Sequence, residues 1–267
     1  MDKPDSTITL GVVSFLNSQP LIEGLDARRG VSLHYAVPSA LPPMLRRGEV
    51  DAALVPVVDL FRSAGAWERV SDACIASDGE TLTVRVYSKV PPEQISILYV
   101  DPDSHTSVAL SQLIWTYHFG RRIIQRPLAD VEDLNDCEAV LLIGDKVVNA
   151  PLRGFEYEID LGGAWKEWTG LPFVFAVWVR LAEPGLSASE GELARLLESA
   201  RDAGVARAAE IAEQVGPSRG WPVDLARRYM TDILDYTLAP RHLEGMRRFL
   251  ELCVEEGITP DVREVVK

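Results

Sequence analysis

At 267 residues the chain is long enough for two lobes with cores of their own or for one large domain, and 47% hydrophobic residues with a mean hydropathy near zero mark an ordinary globular composition. The 40 acidic residues against 27 basic ones leave a net charge of −13, which argues against nucleic acid or an anionic membrane as partner, but not against a small anion held by local donors. The opening Met1-Asp-Lys-Pro-Asp-Ser-Thr7 lacks an apolar signal region, no long apolar run follows, and Cys74, Cys137 and Cys253 are odd in number and widely spaced. A cytoplasmic protein without membrane, disulfide or zinc site is expected.

Ile8 to Val13 reads as a buried strand that runs into Ser14, Asn17 and Ser18 and then, past Pro20, into a helix. These residues either cap a surface helix or turn amides and short polar side chains toward an anion. A strand at Val31–Tyr35 is followed by Val37-Pro-Ser-Ala-Leu-Pro-Pro43, with Ser39 as a natural N-cap. A strand at Ala52–Val55 follows, and Ala76-Ser-Asp-Gly79 precedes a strand over Thr83–Tyr87. Val90-Pro91-Pro92 is a candidate crossing between lobes, with Gly170-Leu-Pro172 for the return. The domains expected are therefore 1–91 with 173–267 as lobe 1, and 92–172 as lobe 2.

After a strand at Ile95–Val100, Asp101-Pro-Asp-Ser-His-Thr-Ser107 opens a helix whose apolar positions Ala109, Leu110, Leu113, Ile114 and Tyr117 follow helical spacing up to Gly120. Ser104, Thr106 and Ser107 could be one N-cap with polar neighbours, or a hydroxyl cluster that surrounds a carboxylate beside the first-turn amides. His105 adds a donor there or faces solvent. A strand at Ala139–Ile143 ends in Gly144 and Asp145, and Asp145 either caps a short helix or accepts a substrate hydroxyl. A strand at Phe173–Val179 precedes three amphipathic helices, Glu190–Val215, Val223–Asp235 and Arg241–Glu256. Strands alternating with helices predict an α/β protein with largely parallel sheets, whose polar turns gather at the carboxyl ends of the strands and line a cleft.

The chain has no phosphate-binding glycine loop, His-Glu-x-x-His, Gly-x-Ser-x-Gly or Cys-x-x-Cys, and His34, His105, His118 and His242 lack metal-ligand spacing, so neither metal nor cofactor is expected. Val57–Phe61 and the aromatic group Trp165, Trp168, Phe173, Phe175 and Trp178 read as core, and Arg121-Arg122 as a solvated pair at a helix end.

Several segments in order resemble chorismate dehydratase of the futalosine route to menaquinone, over most of residues 8–180. They are Gly11-Val-Val-Ser-Phe-Leu-Asn-Ser-Gln-Pro-Leu21, Val37-Pro-Ser39, Ala53-Leu-Val-Pro56, Ser77-Asp-Gly79, Ser104-His-Thr-Ser107, Leu142-Ile-Gly-Asp145 and Trp165-Lys-Glu-Trp-Thr-Gly-Leu-Pro-Phe-Val-Phe-Ala-Val-Trp178. The resemblance implies an α/β fold of the two-lobed type II periplasmic-binding-protein kind, with a ligand cleft between lobes and a helical C-terminal segment. It also implies a hydro-lyase that removes water from chorismate to give 3-[(1-carboxyvinyl)oxy]benzoate. Asn17 matches the family's asparagine at the reaction centre. Thr83 falls where a serine is usual, and His105 where arginine is frequent.

The implied chemistry needs orientation and charge stabilisation rather than a strong base, because the substrate's own enolpyruvyl carboxylate is taken to remove the C3 proton. Asn17 and Thr83 are then the catalytic candidates. Ser14, Ser18, Ser39, Ser104, His105, Thr106, Ser107, Gly144 and Asp145 are the substrate-binding ones. No partner beyond the anionic substrate is expected, and the chain would be a monomer or weak homodimer. Two other readings remain: a non-catalytic binding protein for a small carboxylate, and the pathway's later enzyme that forms a dihydroxynaphthoate.

Overall fold

The computed structural model describes residues 7–182 and 191–261, and the expectations for Met1–Ser6 and Glu190 lie outside them. The strands are β1 (Ile8–Val13), β2 (Val31–Ala36), β3 (Ala52–Pro56), β4 (Trp67–Ser77), β5 (Val84–Ser88), β6 (Ile97–Val100), β7 (Ile124–Pro127), β8 (Ala139–Ile143), β9 (Tyr157–Asp160), β10 (Phe173–Leu181) and β11 (Leu234–Thr237). They form two sheets, ordered β11-β4-β10-β3-β1-β2 and β7-β6-β8-β5-β9. The helices are α1 (Leu41–Arg46), α2 (Val57–Arg62), α3 (His105–Leu113), α4 (Asp145–Asn149), α5 (Leu161–Thr169), α6 (Glu192–Ala206), α7 (Ala208–Val215), α8 (Val223–Arg228) and α9 (Pro240–Glu255). Among the described residues no helix is long and apolar enough to cross a membrane.

Both sheets are mixed, which corrects the expectation of largely parallel pairing. β1 runs parallel to β2 and β3, and β6 parallel to β7 and β8. β10, arriving from the second sheet, lies antiparallel between β3 and β4, while β5 lies antiparallel to β8 and β9. Hydrophobic periodicity reports that a segment is a strand but carries nothing about its direction.

The expected first crossing at Val90-Pro91-Pro92 is also corrected. Val84–Ser88 already pairs with β8 and β9, so the chain passes from one sheet to the other over residues 78–83. Pro91 and Pro92 belong to a tight 3₁₀ turn between β5 and β6, within the second sheet's own connections. The chain re-enters the first sheet at β10, after α5 ends in a left-handed Gly170 with φ of 72°.

Two helical expectations change as well. Past Ser14 the chain makes 3₁₀ turns over Leu16–Ile22 with Pro20 inside, not an α-helix, and neither Asn17 nor Ser18 is its N-cap. The buried Ser18 hydroxyl donates back to Val13 O at 2.5 Å and Phe15 O at 3.0 Å, tying the turn onto the end of β1. The expected helix Val223–Asp235 ends as a widened turn at Tyr229–Ile233. Leu234 then pairs with Ser77 in β11, because the open edge of β4 offers ladder partners that a helix does not use.

One continuous set of buried apolar side chains joins the two sheets. Trp165, fully buried on α5, meets Phe173 and Phe249 edge-on at 5.3 and 6.1 Å, so the aromatic group read as core packs α5, β10 and α9 together. Removing one such ring costs about 3–5 kcal/mol.

Candidate active site

Where the two sheets face each other, strand ends converge on a cavity of about 50 Å³. It is lined by Val13, Phe15 and Asn17 from the first turn, Pro38, Pro56, Ile75, Phe175 and Ala176 from the first sheet, and Thr83, Val84, Ile143 and Gly144 from the second. Ser104, Thr106 and Ser107 of α3 complete it. None of these side chains carries a charge. At roughly 10–15 Å³ per water this space holds a few waters.

Thr83 meets Tyr229 beside the cavity that Asn17 also lines. The Thr83 Oγ1 lies 2.6 Å from the Tyr229 hydroxyl. Thr83 and Tyr229 are 2% and 1% exposed. Burial pushes the Tyr229 pKa well up, and its contacts with Thr83 and Asn17 offset this only in part, so the phenol stays neutral. Asn17 Oδ1 is buried without a partner among the described residues, an acceptor that a ligand hydroxyl would satisfy.

Thr83 is held from behind. Leu82 has φ of 64°, a conformation costly for a residue with a branched side chain, and the Asp160 carboxylate fixes it by accepting from Thr81 N at 2.9 Å and Leu82 N at 2.7 Å. Burial raises the Asp160 pKa, opposed by the backbone donors of Gly163, Thr81 and Leu82 and by Arg85. The Thr83 carbonyl in turn accepts from Gly144 N at 2.9 Å.

At the start of α3, Ser104 accepts from Ser107 N at 3.1 Å and donates to Ser107 Oγ at 2.7 Å, so the capping reading holds and both hydroxyls still border the cavity. Thr106 donates to Phe175 O at 3.3 Å and accepts from Val58 N at 3.4 Å. His105 does not join them. About 100° further round the helix, its Nδ1 lies 2.7 Å from Asp59 Oδ2, and it borders a separate depression with Arg62 and Pro127.

Four more of the predicted binding residues lie off the cavity. Ser14 is tied through its backbone, N to Ala36 O at 2.9 Å and O from Arg219 at 2.5 Å. Ser18 is bonded back onto β1, and Ser39 spends its amide on Asp103 O at 3.1 Å. The Asp145 carboxylate accepts from Leu16 N at 3.2 Å, Trp221 Nε1 at 3.0 Å and Arg219 at 3.2 Å, and so fastens α4 to the first turn and the C-terminal segment. Gly144 does line the cavity. With φ of 59°, it sits so close under the Phe15 ring that an added Cβ would come within 2.6 Å of it.

A family model described as menaquinone biosynthesis matches residues 8–255. The chain belongs to this menaquinone-biosynthesis family. Within it, a chorismate dehydratase of Thermus thermophilus is 29% identical over 91% of this chain and 93% of its own length. A chorismate dehydratase of Campylobacter jejuni is 23% identical over 90% of each chain. The periplasmic aliphatic sulphonate binding protein SsuA of Escherichia coli superposes with a TM-score of 0.67 at 13% identity, covering 98% of this chain and 91% of its own. The fold of this family member is therefore that of the periplasmic binding proteins, in two α/β lobes.

Sequence reasoning missed Tyr229, Phe15 and Asp160. Tyr229 sits on a segment whose helical spacing marks it as core, and it does stack on Trp221 at 5.0 Å between ring centres. Nothing local distinguishes its hydroxyl from that of any buried tyrosine. Asp160 did carry a signal, an acidic residue three before Gly163 at a strand-to-helix junction, and its side chain caps α5 at Gly163 N.

Proposed function

We propose that this family member is a chorismate dehydratase, a hydro-lyase that converts chorismate to 3-[(1-carboxyvinyl)oxy]benzoate and water. The observation that carries the reading beyond the family match is the uncharged cavity in which Asn17 and Thr83 meet, with no ionisable side chain to act as a base. An elimination driven by aromatisation, in which the substrate's own enolpyruvyl carboxylate takes the C3 proton, asks the protein only for orientation and hydrogen-bond donors.

In this reading Thr83 donates to the departing C4 oxygen as its bond to carbon breaks. Asn17 Oδ1, unpartnered among the described residues, holds a substrate hydroxyl. The Ser107 hydroxyl, whose hydrogen is not spent on Ser104, and the positive end of α3 receive a carboxylate, offsetting the net charge of −13.

The test is incubation of the purified protein with chorismate, followed by proton NMR, against an Asn17→Ala control that subtracts spontaneous decay. Aromatic enolpyruvyl ether formed by the wild type alone supports the reading. Saturable binding without product overturns it in favour of a carboxylate receptor on the same fold.

A further inference from the structure

We infer that Tyr229 is a positioning residue for this reaction, a hydrogen-bond relay that aims the hydroxyl hydrogen of Thr83 into the cavity. The inference rests on the dehydratase reading and deepens it, because neither the sequence motifs nor the family match points to Tyr229.

A threonine hydroxyl beside a cleft has one hydrogen and can spend it on whatever acceptor lies nearest. Thr83 Oγ1 has the Tyr229 phenol at 2.6 Å, so one of the two donates to the other. The phenol decides which. It is the more acidic of the two hydroxyls and so the stronger donor, and Thr83 Oγ1 is its one hydrogen-bond partner among the described residues. The phenol's own hydrogen is therefore directed at Thr83 Oγ1. The Thr83 hydrogen is then left for the cavity that Thr83 lines. The phenol has nowhere else to turn, since it is 1% exposed and stacked on Trp221 at an interplanar angle of 18°.

The order of donors is thus Tyr229 to Thr83, and Thr83 to the departing oxygen. Each hydrogen bond polarises the next, which strengthens the terminal donor as charge develops on the leaving group. No proton needs to leave Tyr229. It touches no substrate atom in this scheme, and acts through Thr83.

Tyr229→Phe keeps the ring on Trp221 and removes only the relay. The expected result is a fall in kcat of about ten-fold, the loss of one hydrogen bond's orientation, with KM within about two-fold of wild type. A double-mutant cycle separates relay from scaffold. In Thr83→Val there is no hydroxyl to aim, so adding Tyr229→Phe should change kcat by less than about two-fold. In Thr83→Ser, whose hydroxyl rotates more freely than threonine's, the same change should cost more than in wild type.

Wild-type turnover in Tyr229→Phe, or the same fold-loss in the Thr83→Val and wild-type backgrounds, overturns the inference. If Thr83→Val is too slow to measure, the Thr83→Ser comparison decides. A readout without turnover separates failure of the relay from failure of the dehydratase reading. An exchange-protected hydroxyl proton seen by NMR, absent in Tyr229→Phe and shifted in Thr83→Val, supports the relay even in a protein that leaves chorismate unchanged. Absence of that signal from wild type counts against the relay alone.

Discussion

The hydroxyl oxygens of Thr83 and Tyr229 lie 2.6 Å apart although 146 positions separate them in the chain. Thr83 stands where the chain first passes into the second sheet, and Tyr229 in the widened turn that feeds the last strand of the first. Their contact brings the crossing segment and the C-terminal helices to one point, beside the cavity that Asn17 lines from the first turn.

Asn17→Ala should separate activity from stability. Since Oδ1 has no partner among the described residues, truncation removes little that holds the fold, and the melting temperature should move by no more than a few degrees. Turnover of chorismate should fall by about 10²–10³, the usual loss for a donor or orienting group at a centre of developing charge. Equal turnover would remove Asn17 from the mechanism.

His105→Ala should leave kcat and KM for chorismate within about two-fold of wild type, because the imidazole faces Asp59 rather than the cavity. A ten-fold rise in KM would mean that the ring swings inward when substrate binds.

Gly144→Ala combines a left-handed backbone with a collision. A Cβ would come within 2.6 Å of the Phe15 ring at a residue with φ of 59°. The expected destabilisation is about 2 kcal/mol, read as a lower midpoint in urea unfolding, with a raised KM as Phe15 is pushed into the cavity. A variant with wild-type KM would show that the Phe15 ring has room to move without narrowing the cavity.

Lys146 should set part of the alkaline limit of stability. Its ammonium bonds both oxygens of the fully buried Asp101, at 2.7 and 2.9 Å, and Asp103 at 2.6 Å. Burial lowers its pKa, but the hydrogen bonds to Asp101 and Asp103 prevail and the net shift is upward. A raised lysine pKa contributes stability that is complete below the unfolded value of about 10.4 and is lost as pH rises through the folded value. Unfolding midpoints followed from pH 9 to 12 should fall less steeply in Lys146→Met than in wild type. At pH 7 that variant should lose about 2–3 kcal/mol, because Asp101 is left unpaired while the ammonium's 41% exposure already screens part of the pair. An unchanged alkaline limb would discount the pair.

The candidate site was partly legible before the fold. Asn17, Thr83, Ser104, Thr106, Ser107 and Gly144 all line this cavity: Thr83 directly precedes β5, the others follow β1, β6 or β8, and antiparallel pairing sets the start of β5 beside the end of β8. Ser18, Ser39 and Asp145 lie in the same turns but bond to the protein itself. A turn motif gives the positions of hydroxyls and carboxylates along the chain, while which way each one faces depends on one or two dihedral angles. The crossing at residues 78–83 was hidden because Pro91-Pro92 punctuates more loudly, while the actual passage carries its strain at Leu82, a residue type with no turn signature.

What the sequence determined by itself is local and periodic: buried strands with polar ends, amphipathic helices after residue 190, an acidic surface, and the motifs that carry the family resemblance. These follow from side-chain chemistry within a few residues of each position. Strand direction in the mixed sheets, the turn of Tyr229 toward Thr83, and the capture of Asp145 by Leu16, Arg219 and Trp221 were decided only by the tertiary structure. Each joins groups far apart in the chain, and such contacts arise from packing a buried core whose polar atoms must find partners where the fold happens to bring them.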